Sequence, residues 1–212
     1  MRVFMFMYPN KYEEAGLSHN PFKAIVSPRP IGWISTRSSD DHLNIAPYSF
    51  FNAISEQPPM VMFSSAPKKE GQIGKDSLLN IKDTKEFVVN IVSHSLREKM
   101  NITSKSYPRE INEFEKAGID IGQSKTVSVP YVKFAPASLE CKLWKTLTLP
   151  DRPDGSSATM IMGIVTGMNI DEGVIRNGKI DVTLYQPLAR LGYFDYSQIK
   201  ETFSMRRPNQ KE

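Results

Sequence analysis

The stretch that most constrains this chain is residues 44–67, NIAPYSFFNAISEQPPMVMFSSAP, in which two apolar runs flank a Gln57-Pro58-Pro59 turn. Inside it the strict alternation of a half-buried strand breaks: Pro47 is followed by Tyr48, Ser49, Phe50, Phe51 and Asn52. A proline has no N–H for a strand ladder, so Pro47 belongs at a sheet edge or a bulge. Residues 46–52 are therefore expected to leave regular pairing. They would offer unpaired backbone groups beside aromatic walls and small polar side chains. Such a surface suits a flat, amphipathic ligand, whose faces need an apolar slot and whose edges need N–H and C=O partners. The same residue types also build ordinary cores and turns, and residue type alone does not separate the two readings.

The rest of the composition narrows the class. A chain of 212 residues, 40% hydrophobic and 24% charged, is a globular chain best read as one domain over 1–212. The net charge is only +4, and the basic residues sit among acids, as in Lys82-Asp83-Thr84-Lys85-Glu86. A nucleic-acid binder would cluster them on one face, so no nucleic-acid partner is expected. The single cysteine, Cys141, cannot form an internal disulfide, and a reducing, cytoplasmic setting fits. It lies in Leu139-Glu140-Cys141-Lys142-Leu143, which alternates like a strand, so it reads as a packing or surface residue and not as a nucleophile. The apolar start of the chain is too short for a signal, and no run approaches the ~20 apolar residues that span a bilayer, so no membrane association is expected. Such a start suits an added strand or a contact with a partner subunit. The three histidines, His19, His42 and His94, have no metal-ligand spacing, no Gly-x-Ser-x-Gly elbow is present, and no Gly-x-Gly-x-x-Gly fingerprint marks a dinucleotide domain.

Along the chain, residues 24–26 and 31–36 read as strands about a rigid Ser27-Pro28-Arg29-Pro30 bend, with Trp33 in the core. Residues 38–42 make a hairpin loop and residues 67–74 a flexible loop. Lys75-Asp76-Ser77-Leu78-Leu79 starts a helix, with Asp76 or Ser77 as its N-cap. Residues 86–92 read as a buried strand. Residues 93–118 are mostly helical and broken by Pro108, and strands return over 131–149. A turn-rich loop over 150–157 leads into a buried strand at 158–168, and residues 180–185 read as extended.

Five segments recur in a known order. They are Arg29-Pro30-Ile31-Gly32-Trp33-Ile34-Ser35-Thr36, Ala46-Pro47-Tyr48-Ser49-Phe50-Phe51-Asn52, Pro58-Pro59-Met60-Val61-Met62-Phe63-Ser64, Lys75-Asp76-Ser77-Leu78-Leu79-Asn80-Ile81 and Phe87-Val88-Val89-Asn90-Ile91. In this register the chain resembles the flavin reductase-like family, the FMN-binding split barrels that include the flavoredoxins, from about residue 22 to 196. The resemblance implies a mainly β (α+β) fold, a split β-barrel with Greek-key-like strands and a mid-chain helical insert. It also implies bound FMN and a homodimer. Residues 46–52 would hold the isoalloxazine, with Ser49 and Asn52 as polar assistants and Tyr48, Phe50 and Phe51 as walls. Ser64, Lys75 and Ser77 would meet the phosphate, and Asp76 would cap the helix or touch the ribityl chain. Arg29 and the Arg190-Leu191-Gly192 turn would lie near the flavin. Family members often carry a second glycine where this chain has Tyr193.

The activity so implied is an FMN-binding oxidoreductase, an NAD(P)H-dependent flavin reductase in which hydride passes from nicotinamide C4 to flavin N5 with no catalytic side chain named. NADH or NADPH would be a transient donor. A flavoredoxin-like electron carrier or ferric reductase with fixed FMN, passing electrons to a redox partner protein, is an alternative reading. A non-enzymatic split-barrel binding module is another.

Overall fold

The computed structural model describes residues 3–67 and 75–208; of the loop expected over 67–74, all but Pro67 lies outside the described residues. A one-turn helix, α1 (Phe22–Ile25), precedes the short strand β1 (Arg29–Pro30), β2 (Gly32–Arg37), β3 (Leu43–Tyr48), β4 (Phe51–Glu56) and β5 (Pro59–Ser65). Helix α2 (Asp76–Thr84) leads to β6 (Glu86–Ile91). The insert follows: α3 (Arg97–Ile102), α4 (Glu113–Lys116), β7 (Ile121–Gly122) and β8 (Tyr131–Val132). Two long strands, β9 (Ala137–Thr148) and β10 (Thr159–Ile170), are followed by β11 (Ile175–Arg176), β12 (Lys179–Ile180), α5 (Val182–Tyr185), β13 (Leu188–Arg190) and β14 (Tyr196–Gln198).

The main sheet is antiparallel in the order β3-β2-β6-β9-β10-β5-β4. After the β4–β5 hairpin the chain crosses by way of α2 to lay β6 beside β2, the crossover expected of Greek-key-like strands. Its two edge strands, β3 and β4, are consecutive in the chain and separated only by Ser49 and Phe50. A seven-stranded sheet whose edges are two residues apart must curl on itself. One buried cluster confirms the closure, because every strand of the sheet contributes to it: Ile34, Tyr48, Phe51, Phe63, Phe87, Cys141 and Ile161, with Leu78 and Ile81 of α2. The result is a split barrel, open between β3 and β4 and packed inside by apolar side chains. A second cluster covers the outer face of β2 and β3 with the insert, joining Trp33, Ile45, Met100 and Phe114. Trp33 and Ile34, adjacent on β2, thus serve opposite faces, as strand alternation requires.

Some local expectations are overturned. Residues 24–26 end a helical turn instead of forming a strand; Asn20 Oδ1 accepts from the Phe22 N–H (2.9 Å), and the Arg29 guanidinium takes the carbonyls of Lys23 and Val26. Residues 182–185 are helical, because Asp181 caps the turn by accepting from Thr183 N and Thr183 Oγ1. Strand β10 is not fully buried: side chains alternate between buried and half-buried over residues 161–165, and from Thr166 onward none is buried. Pro47 does sit on an edge strand, yet residues 46–48 and 51–53 are paired; only Ser49 and Phe50 leave the ladder, and Phe50 O accepts from Ser64 N. No helix among the described residues is long and apolar enough to cross a membrane.

Candidate functional site

The open seam of the barrel organises the site. There β3 ends, Ser49 and Phe50 turn the corner, and α2 begins alongside. A small cavity of about 70 Å³ lies against α2, lined by Ala46, Pro47, Tyr48, Lys75, Asp76, Ser77 and, from the insert, residues 103–107 and Glu113. That volume is about two waters' share of liquid, so it suits a compact polar group and not a ring system. Lys75, not Asp76 or Ser77, occupies the N-cap position of α2, and no side chain caps the helix. Ser77 is the second residue of the helix, buried, and its hydroxyl is already given to Asn44 Oδ1 (2.7 Å).

That bond is part of a buried polar network. Asn44 Nδ2 donates to Glu113 Oε1 (2.9 Å), and Ile45 N donates to Glu113 Oε2 (3.3 Å). Asn80 Nδ2 donates to Thr36 Oγ1 (3.1 Å), and Arg109 donates to Asn80 Oδ1 (3.0 Å) and Asp76 Oδ1 (3.2 Å). The network fixes β3, α2 and the insert against one another. Two hydroxyls stand at its margin: Tyr48 Oη and Ser65 Oγ are buried and make no hydrogen bond of good geometry, although the hydroxyls of Ser77 and Ser65 lie close enough to the phenol to oppose the rise of its pKa. Buried polar groups are rarely left unpaired without a reason. Burial holds the Tyr48 phenol above its ordinary value, and the carboxylates of Asp76 and Glu113 add to the effect. Lys75 Nζ lies 5.4 Å from the centre of the same ring. Burial also pushes the Glu113 carboxyl up, more than its hydrogen bonds pull it down.

On the other side of Tyr48 a cleft of about 590 Å³ is lined by Arg29, Ser49 and Arg190 together with residues of the N-terminal segment and Tyr193. Arg29 is 5% exposed, and its guanidinium also donates to Leu191 O (2.7 Å). Burial lowers its pKa from the usual arginine value, and the neighbouring Arg190 lowers it further. Tyr193 has φ +54°, the left-handed backbone that glycine adopts most readily.

The expected site residues therefore divide into groups. Ala46, Pro47, Tyr48, Lys75, Asp76 and Ser77 meet at the small cavity, and Arg29, Ser49 and Arg190 at the larger cleft. Phe50 is exposed, 5.9 Å from the Arg29 guanidinium. Phe51 and Tyr48 are mainly core residues, Phe51 packed so tightly on β2 that a Cβ at Gly32 would lie 2.8 Å from its ring. Asn52 is exposed and its Oδ1 accepts from Ala53 N (2.9 Å), while Ser64 is the penultimate residue of β5. Neither of these two lines either cavity. Sequence reasoning missed Ser65, Asn44 and Glu113. Asn44 and Ser65 flank quoted segments and were within reach; Glu113 arrives from 68 residues away and left no local signal.

A split barrel with a polar pocket at its seam is a recognisable class, and the comparisons specify it. The chain belongs to the flavin reductase-like family: the Flavin reductase like domain matches residues 26–196. A protein of Aquifex aeolicus is 43% identical over 79% of this chain and 83% of its own length. Among solved structures, nitrilotriacetate monooxygenase component B from Bacillus cereus superposes with a TM-score of 0.86 at 27% identity, covering 97% of this chain and all of that one. The 2-nitrobenzoate 2-nitroreductase NbaA of Pseudomonas fluorescens gives 0.77 at 29% identity, covering 93% and 96%. The flavoredoxin of Desulfovibrio vulgaris shares the fold, at 0.74 and 19% identity over 88% and 94%.

Proposed function

We propose that this protein is an FMN-dependent oxidoreductase, acting as an NAD(P)H-dependent flavin reductase. The observation that carries the reading is the small cavity at α2. A phosphate monoester needs donors and positive charge. The cavity offers a helix N-terminus without a side-chain cap, the Lys75 ammonium, and beside it two buried hydroxyls, of Tyr48 and Ser65, without a hydrogen bond of good geometry. These residues fit the phosphate of FMN. Lys75, Tyr48 and Ser65 would hold it, with the backbone at Ser77 and with Ser64 close by on β5; the Ser77 hydroxyl, already given to Asn44, would support and not bind. Asp76 is drawn toward Arg109 and away from that role.

Ala46, Pro47, Ser49 and Phe50 would hold the ring system where the chain leaves the ladder. When bound, FMN supplies the redox chemistry, taking electrons from NADH or NADPH and passing them on. The chain's own part is to bind, orient and shield, with the buried network keeping β3 and α2 in register; catalysis by positioning needs no protein acid or base. The likeness to a monooxygenase component supports a partner protein as one destination for the electrons, and the likeness to a nitroreductase supports a small acceptor as another. A homodimer is part of the proposal: Val3, Phe4 and Phe6 are exposed, an apolar group that a second copy would cover.

The test is an anaerobic visible spectrum of the FMN-loaded protein before and after NADH or NADPH. Bleaching of the flavin bands supports the reductase and identifies its donor. Bound flavin that neither nicotinamide bleaches favours the electron carrier. Protein that takes up no flavin at all removes the reading.

A further inference from the structure

The 590 Å³ cleft beside the seam has a charge arrangement that the phosphate site does not explain. Lys23, Arg29 and Arg190 line it, His19 joins them, and no Asp or Glu does. Arg29 and Arg190 are direct register partners across β1 and β13. Like charges opposite one another on a ladder oppose pairing. Among the described residues neither guanidinium has a carboxylate partner. Arg29 donates only to carbonyls, and its Nε is buried with no hydrogen bond. Arg190 donates to Tyr196 Oη and Tyr193 O. Arg190 is half-exposed and stacks over the Tyr196 ring at 4.4 Å, but the buried Arg29 has only neutral acceptors, which solvate its charge without cancelling it, and an anion in the cleft would offset that cost.

The remaining lining is mixed, with two aromatic rings beside Pro9, Asn20, Ser49 and Leu191. Phe22 and Tyr193 line the cleft, and the Phe50 ring stands by Arg29. A volume of 590 Å³ falls in the range of small-molecule sites. We infer that the cleft binds an aromatic carboxylate, the carboxylate meeting the Arg29–Arg190 pair and the ring lying between Phe22 and Tyr193. This site shares no lining residue with the cavity at α2, so the molecule has two separate anion seats. Ser49 in one and Tyr48 in the other place them side by side. That the acid is the flavin's reaction partner rests on the flavin reading; the anion site does not.

The probe is benzoate, titrated calorimetrically into the full-length, flavin-free protein, with benzyl alcohol and inorganic phosphate as comparisons. Benzoate should bind at least tenfold more tightly than benzyl alcohol. Arg190→Gln should weaken benzoate at least tenfold, Arg190→Lys should restore part of the loss, and Lys75→Ala should leave benzoate within twofold. Lys23→Gln, a surface change that leaves the β1–β13 ladder intact, should weaken it severalfold even if Arg190→Gln folds poorly. No benzoate binding to the wild type, or equal binding to Arg190→Gln and Lys23→Gln, overturns the proposal. Inorganic phosphate binding as tightly as benzoate, with the same sensitivity to Arg190→Gln, also overturns it and assigns the cleft to a nucleotide phosphate. FMN uptake is followed in parallel by flavin fluorescence: benzoate binding without FMN uptake would remove the flavin reading alone.

Discussion

At the scale of single residues, two buried glutamates have pKa values displaced in opposite directions and should give stability opposite pH dependences. Glu140, on β9, accepts from Thr126 N (2.6 Å), Thr126 Oγ1 (2.7 Å), Asn169 Nδ2 (2.8 Å) and Lys125 N (3.0 Å). Burial pushes its carboxyl up, but the hydrogen bonds from Asn169, Thr126 and Lys125 outweigh that and hold it below the ordinary value. A depressed folded pKa contributes stability above the unfolded value, about 4.3, which is lost as pH falls through the folded one. The melting temperature of wild type relative to Glu140→Gln should therefore fall on acidification below about pH 4.3. Glu113 has the reverse sign. Its folded pKa is raised, so its contribution is complete below about pH 4.3 and is lost as pH rises through the folded value. Thermal melts of wild type against Glu113→Gln should diverge in the opposite direction as pH increases. Lys75 and Tyr48 are tested by ligand. Lys75→Ala should weaken FMN by about 1–3 kcal/mol, the scale of a lost charge-assisted hydrogen bond. Tyr48→Phe should leave the flavin-free protein about as stable or more so, because it deletes a buried hydroxyl that makes no hydrogen bond of good geometry, and yet should weaken FMN in a fluorescence titration.

Among the elements, β2 and β4 meet at a point where only glycine fits. A Cβ on Gly32 would stand 2.8 Å from the Phe51 ring, and Phe51 is in the barrel core. Gly32→Ala should cost about 1–3 kcal/mol in chemical denaturation, the usual range for overpacking, and loosen the corner at Ser49 and Phe50. The strands of this region were legible in the sequence because Pro47, the Gln57-Pro58-Pro59 turn and the apolar runs are local signals. The short helices were not. In α1 and α5 a single turn is decided by side-chain capture of a few backbone groups, by Arg29 and Asn20 in one case and Asp181 in the other. The 93–118 insert reads as two helices broken at Pro108, whereas the chain is helical only at Arg97–Ile102 and Glu113–Lys116 apart from a short 3-10 turn, with turns between. Its conformation follows the surface it covers, with Trp33 Nε1 donating to Thr103 Oγ1 (2.9 Å) and Glu113 reaching β3.

For the whole molecule, ligand and fold should be linked. A ligand that binds only the folded state at 100 times its Kd adds about 2.7 kcal/mol, so FMN at that excess should raise the melting point clearly. Lys75→Ala at the same FMN concentration should show a smaller rise. Light scattering that gives a dimer mass across dilution supports the second copy, and a monomer mass removes it. The sequence by itself determined the class of fold, the edge position of Pro47 and the start of α2 to within two residues, and it read Cys141 as a packing or surface residue, of which burial selects packing. All of these depend on residues adjacent in the chain or on strand alternation. Only the tertiary structure decided how the site is divided. Curling the sheet brought β3 beside β4, turned Tyr48 and Phe51 inward as core, delivered Glu113 from the insert, and set Arg29 opposite Arg190 from 161 positions away. No local pattern encodes such meetings, because they follow from which strand ends come together when a seven-stranded sheet closes over one core.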